Sequence, residues 1–254
     1  MGFWDGVPHG AGFGRWAGPH LAWVAIFAAV TLALCLVYRR CGARGRLAIE
    51  TAIAAVLGAG EVSRLAVIAL QGQMGLGWLP LHYCGLAIFI EMWYAAKGGE
   101  VLGDILYATC MPGALMALLF PDWTDYPAFC FLSQNSFVIH ILLVGYPIML
   151  VWAGRIRPRP RNIPKCFLFL LACALPMYFF DRWTGTNFMF LNWPSPGSPL
   201  EWFASLGRPG YLIGYLPIAA AVWTALYLPW GLAGRRARRR ETGSGRPPAP
   251  PVAM

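Results

Sequence analysis

Two residues in this 254-residue chain have the chemistry of a nucleophile and its base: Cys84 in LPLHYC and His140 in SFVIH. A thiol reacts as the thiolate, and a neighbouring imidazole is the usual means of generating it. His82 lies two positions before Cys84. On a regular helix that spacing turns the two side chains roughly 200° apart, so they are not expected to act as one pair. Glu91, seven positions after Cys84, shares its face. Ser133, Ser136 and His140 fall at i, i+3 and i+7 and form a polar stripe, which hydrogen bonding between helices also explains. Glu61 and Arg64, three apart on one face, suit either an internal ion pair or a contact to a charged substrate group. Asp122 and Asp125 in FPDWTDYP read as turn residues or a cation-holding pair. Asn187 and Asn192 suit turns or contacts from a lid. The seven cysteines make no CxxC pattern, so neither structural zinc nor a disulfide framework is expected.

These residues need a scaffold, and the composition says which kind. The chain is 58% hydrophobic and 12% charged, against about 25% charged in an ordinary soluble domain. That excludes a cytosolic enzyme, a disordered chain and a disulfide-stapled module. The net charge of +9 does not point to nucleic acid, because the basic residues cluster between apolar runs. With about 20 apolar residues needed per crossing, the sequence predicts an all-α, polytopic membrane protein. It is expected to be a seven-transmembrane-helix bundle, with spans near 21–38, 48–71, 79–96, 101–120, 130–153, 166–182 and 211–232. Residues 1–20 form a short outer segment, 21–232 the membrane domain and 233–254 a basic, then Pro/Gly-rich disordered tail. Basic residues follow the first, third, fifth and seventh spans, from Arg39–Arg46 to Arg235–Arg246. By the positive-inside rule the N-terminus is outside and the C-terminus cytoplasmic. No basic stretch precedes a short apolar core near the start, so a cleaved signal peptide is not expected. The loop at 183–210, rich in Trp and Phe, is expected to lie on the bilayer surface or to re-enter it. At bilayer depth each ionisable side chain is costly, so Glu50, Glu61, Arg64, His82, Cys84, Glu91, Asp104 and His140 are candidate site residues by default.

LPLHYC at 79–84, FPDWTDYP at 120–127, SFVIH at 136–140 and GTNFMFLNWPSPGSPLEW at 185–202 carry a resemblance. Over about residues 20–230 the chain resembles the YwaF-type integral membrane proteins. These are bacterial seven-span proteins grouped with the eukaryotic transmembrane protein 164 family of acyltransferases. The resemblance implies cysteine-dependent acyl transfer between phospholipids, with Cys84 matching the nucleophile and His140 the base.

The resulting expectation is a phospholipid acyltransferase or transacylase working through a Cys84 thioester, with Ser136 and Asn187 as donors to the tetrahedral intermediate. Glu61, Arg64, His82, Ser136 and Asn187 are the candidate substrate-binding residues. The alternatives are a transporter or lipid-binding protein with an intramembrane polar pocket and no covalent chemistry, and a scaffold subunit. Membrane phospholipids are the expected partners, with no nucleic acid, no cofactor and no metal; the expected location is a plasma membrane, bacterial by resemblance.

Overall fold

Uninterrupted runs of Leu, Ala, Val, Ile and Phe leave the backbone no partner but itself in an apolar surrounding, and helix is the local solution. The computed structural model describes residues 3–4 and 12–243, and among these the regular structure is entirely helical. Helix α1 (Gly18–Arg40) begins with a proline in its first turn and ends on Arg39 and Arg40, which suit the negative end of the helix dipole. It is followed by α2 (Ala43–Leu70), α3 (Tyr83–Lys97), α4 (Glu100–Ile105), α5 (Met111–Leu119), α6 (Phe131–Trp152), α7 (Ile163–Thr184) and α8 (Tyr215–Gly243).

Six segments are long and apolar enough to cross a membrane: Gly18–Arg40, Ala43–Leu70, Glu100–Leu119, Phe131–Trp152, Pro160–Thr184 and Gly210–Leu232. They coincide with six of the seven expected spans. The expected span at 79–96 is realised as the 15-residue α3, shorter than a full crossing. Its late start has a local cause. Leu79 precedes Pro80 and is extended (ψ 148°), as a residue before proline tends to be, and His82 is extended as well (ψ 150°), so helical geometry begins only at Tyr83. At the other end, α8 continues through the Arg-rich stretch to Gly243, and almost all of the Pro/Gly-rich tail expected from Thr242 onward lies outside the described residues. Residues 244–254, like most of the first eleven, lie outside the described residues.

The span Glu100–Leu119 is not one regular helix. Between α4 and α5, residues Leu106–Cys110 form a π-helical turn in which the Met111 N–H bonds to the Leu106 carbonyl. Pro112 has no N–H to offer the carbonyl one turn back, and that carbonyl, on Ala108, accepts instead from Trp223 Nε1 of α8 at 2.8 Å. The Thr109 hydroxyl donates to the Ile105 carbonyl and accepts from Tyr83 at the start of α3, both at 2.6 Å.

Helix α6 is the hub, packed against α1, α2, α3 and α5. Its buried side chains include Phe137, Ile141, Val144 and Leu150. By contrast α7 turns Leu168, Leu171, Leu175 and Phe179 outward. A contiguous apolar face of this kind is what a helix presents to lipid.

The end of the bundle formed by the 153–162 connection is tied by buried carboxylates. Glu50 accepts from the Tyr38 hydroxyl (2.5 Å) and from the Tyr146 hydroxyl (3.2 Å). Asp104 accepts from the Arg159 N–H (3.0 Å) and Asn162 Nδ2 (2.6 Å). Both therefore have structural partners, remote in the fold from Cys84 and His140.

Candidate functional site

The opposite end, where the segments 71–82, 120–130 and 185–210 meet, holds an open cleft of about 450 Å³. His82, Asp122, Asn187, Phe188, Phe190 and Trp193 line it. Cys84 stands in the first turn of α3, half-buried, not deeper along a helix as the sequence suggested. The Gly85 that follows has no room for a side chain: a Cβ there would lie 2.7 Å from the Pro80 carbonyl oxygen. This close approach folds the LPLH segment back against the start of α3.

His140 is the tenth residue of α6. Its Nδ1 lies 2.7 Å from the Ser136 carbonyl. A carbonyl can only accept, so Nδ1 carries the proton and Nε2 keeps its lone pair, the arrangement a general base requires. Trp123 stacks on the imidazole with centroids 4.9 Å apart and planes 25° off parallel, which fixes the ring.

The residue before that tryptophan is Asp122, a turn residue or cation holder in the sequence reading. Here it lines the cleft and is an electrostatic neighbour of both His140 and Cys84. Its carboxylate is open to the cleft but walled by protein. Desolvation inside the cleft walls pushes it above the ordinary carboxylate range, while the Arg15 guanidinium pulls it back. Asp122 and the neighbouring Asp125 are both exposed. Arg15 fastens the site from outside. Its Nη2 donates to the Pro121 carbonyl (3.3 Å) and to the Pro196 carbonyl (2.9 Å), joining two of the segments that border the cleft. Gly197, at φ +66°, leaves the space Arg15 occupies; any side chain there would collide with the guanidinium.

His82 corrects the helical-wheel expectation. It precedes α3 as its N-cap, so the 200° separation from Cys84 does not apply, and its ring lines the cleft within electrostatic reach of His140. Its Nδ1 accepts from the Met189 N–H at 3.3 Å, and its ring packs against Phe188 and Phe190 at centroid distances of 5.1 and 5.6 Å.

The segment that holds His82 is built around Asp181. One carboxylate oxygen accepts from the Thr186 hydroxyl (2.7 Å) and the Phe188 N–H (2.9 Å). Asn192 donates to the Asp181 and Thr186 carbonyls. Asn187 lines the cleft, but its amide serves the loop: the oxygen accepts from the Asn192 and Trp193 N–H groups, and Nδ2 donates to the Trp193 carbonyl. Met189 and Phe190 both adopt left-handed backbone, with φ of 53° and 56°. Their carbonyls are held by the Tyr215 and Tyr211 hydroxyls, each at 2.7 Å.

Glu61 and Arg64 pair with each other, through Arg64 Nε at 3.0 Å and Nη2 at 2.5 Å, and Nη2 also donates to the Trp78 carbonyl. The pair thus braces α2 against the segment leading to the cleft. Ser136 contributes its backbone carbonyl to His140. Ser133 is fully buried and its Oγ has no partner among the described residues. Glu91 is fully buried in the interior, neither of its oxygens hydrogen-bonded among the described residues, with Tyr146 and Cys110 as electrostatic neighbours. Among the described residues no group of three or more His, Cys, Asp or Glu is placed to hold a metal ion.

No curated protein and no solved structure matches this chain. The TMEM164 family model matches residues 15–227, which takes in every segment of the cleft. With most of its length covered by that match, the chain belongs to the TMEM164 family.

Proposed function

We propose that this protein is a membrane-embedded phospholipid acyltransferase in which Cys84 is the nucleophile and His140 the base. The observation that carries the reading is the setting of His140: its Nδ1 lies against the Ser136 carbonyl and Trp123 covers its ring, which leaves Nε2 as the basic nitrogen, and Asp122, which lines the cleft, is an electrostatic neighbour of both His140 and Cys84. In this reaction the Cys84 proton passes to His140 Nε2 and the sulfur attacks the acyl carbonyl. The ester C–O bond breaks, and the departing lysophospholipid oxygen takes the proton back. A second lysophospholipid, or water, then attacks the thioester by the same steps in reverse.

The reading includes a seventh crossing made of α3 and the irregular segment before it. Irregular backbone at membrane depth is tolerated where it lines a cavity, and Gly77 and His82 both line the cleft. His140, nine residues into α6, lies about 13 Å along that helix from its start at 1.5 Å per residue, so a site shared with Cys84 requires α3 to begin below the bundle surface. With seven crossings the N-terminus is outside, the C-terminus cytoplasmic and the cleft on the outer side, with a bacterial plasma membrane as the location.

A transport reading needs charged groups free to bind a passenger, and the mutual pairing of Glu61 and Arg64 favours a bracing role for them instead. The test is intact-protein mass spectrometry after incubation with phospholipid vesicles. The expected result is a hydroxylamine-sensitive acyl adduct on Cys84, absent in Cys84→Ala and at least about 100-fold slower to form in His140→Ala. A folded wild-type protein that forms no adduct and turns over no lipid overturns the reading.

A further inference from the structure

We infer that His82 is the donor that stabilises the oxyanion formed when Cys84 attacks its ester, and that the strained Met189–Phe190 turn exists to hold it in the donating tautomer. The inference rests on the thioester reading and adds to it a group that touches the reacting atoms.

Sequence alone offered Ser136 and Asn187 as donors. Asn187 makes three bonds within its own loop, leaving only one amide hydrogen, and what Ser136 brings to His140 is its main-chain carbonyl. His82 differs. An N–H can only donate, so the bond from Met189 to His82 Nδ1 leaves that nitrogen without a proton and places the ring hydrogen on Nε2. The two histidines are thereby set in opposite senses: His140 presents a bare Nε2, His82 an Nε2–H. A base and an electrophilic donor are the two roles that acyl transfer to a thiol asks of imidazoles.

The loop's construction points the same way. Left-handed backbone at two consecutive non-glycine residues is costly and persists only where surrounding contacts enforce it. Those contacts are present: Tyr215 and Tyr211 hold the two carbonyls, Asp181 anchors the preceding turn, and Phe188 and Phe190 clamp the imidazole. Their joint result is one N–H aimed at His82 Nδ1.

In the step itself the Cys84 S–H proton goes to His140 Nε2 and the new S–C bond forms. The carbonyl π pair moves onto oxygen, and that oxygen accepts from His82 Nε2–H. Collapse restores the carbonyl and breaks the ester C–O bond, and the leaving oxygen takes the proton from His140. Other charged groups near His82 are Asp181 on α7 and Arg64 on α2, the latter already paired with Glu61.

The test compares two reactions of the same thiol, each read on the Cys84 peptide by mass spectrometry. Acylation by p-nitrophenyl butyrate passes through an oxyanion; alkylation by iodoacetamide does not. His82→Phe keeps a ring between Phe188 and Phe190 without the donor, while His82→Gln returns an N–H at a similar reach. The expected result is acylation slowed about 100-fold or more in His82→Phe and partly restored in His82→Gln. Alkylation should stay within about threefold of wild type in both. Equal loss of both reactions in His82→Phe, or loss of neither, overturns the inference. Should His82→Phe fail to fold, His82→Leu supplies the donor-free protein and the same comparison. A wild-type protein that takes the butyryl group but no acyl chain from phospholipid vesicles overturns the lipid reading and leaves the role of His82 standing.

Discussion

At the scale of single residues, Asp122 is expected to link stability and the proposed acyl transfer with opposite signs. Its surroundings push the carboxyl above its ordinary range, so the folded chain holds that proton more tightly than the unfolded chain. The consequence for pH follows directly. Below the unfolded value of about 4 both states are protonated and nothing is lost, and as pH rises through the window up to the folded value the folded state loses stability. Asp122→Asn removes that loss. Thermal unfolding in detergent is therefore expected to find the variant equal to wild type at pH 3.5 and more stable at pH 7. The same substitution takes the counter-charge from the His140 imidazolium, so Cys84 acylation is expected to slow as stability rises. A variant less stable than wild type at pH 7 would mean that Asp122 is there to hold the loop. This role was not legible in FPDWTDYP, which reads as turn chemistry. The closeness of Asp122 to His140 comes from Trp123 lying on the imidazole, a contact between two segments that no local spacing encodes. Cys84 and His140 were legible as residue types, but the tautomer of each histidine required its hydrogen-bonding partner.

At the scale of elements, the spans and the loops differ in what specifies them. A run of 20 apolar residues specifies a helix through composition, and six such segments coincide with six expected spans. The segment before α3 depends on the extended geometry of Leu79 and His82 and on Gly85 meeting Pro80, none of which alters hydropathy. The outer loop is less legible still, because NFMFLNW carries no glycine where its backbone turns left-handed. Such a position costs a non-glycine residue about 1–2 kcal/mol, more if it is β-branched. Met189→Gly is therefore expected to keep or raise the unfolding temperature, and Met189→Val to lower it. If the turn holds His82, Met189→Val also slows acylation, and Met189→Gly retains it as long as the N–H stays aimed at Nδ1. Unfolding temperatures of the two variants in one detergent decide the matter: a Met189→Gly protein less stable than Met189→Val would show that the methionine side chain outweighs backbone strain.

For the whole molecule, the distribution of charge and the position of the cleft give one testable geometry. Of the 20 Lys and Arg residues, 16 follow the first, third, fifth and seventh expected spans, while Arg15 and Arg208 belong to the cleft end. Arg15 there is committed to the Pro121 and Pro196 carbonyls, and Arg208 lies over the Trp193 ring at 5.1 Å. Both are fastened to the protein. At the opposite end Arg155, Arg157 and Arg161 are exposed, with Glu100 offsetting part of the charge through Arg159 and Arg161. The positive-inside rule expects such a surface on the cytoplasmic side. Cysteines introduced at two exposed positions, Ala204 beside the cleft and Arg157 at the other end, test this in intact cells. A membrane-impermeant maleimide is expected to label Ala204→Cys before lysis and Arg157→Cys only after it, above the background of the native thiols. The reverse pattern would put the cleft on the cytoplasmic side. On the proposed acyl-transfer reading, the lipid would then come from the inner leaflet.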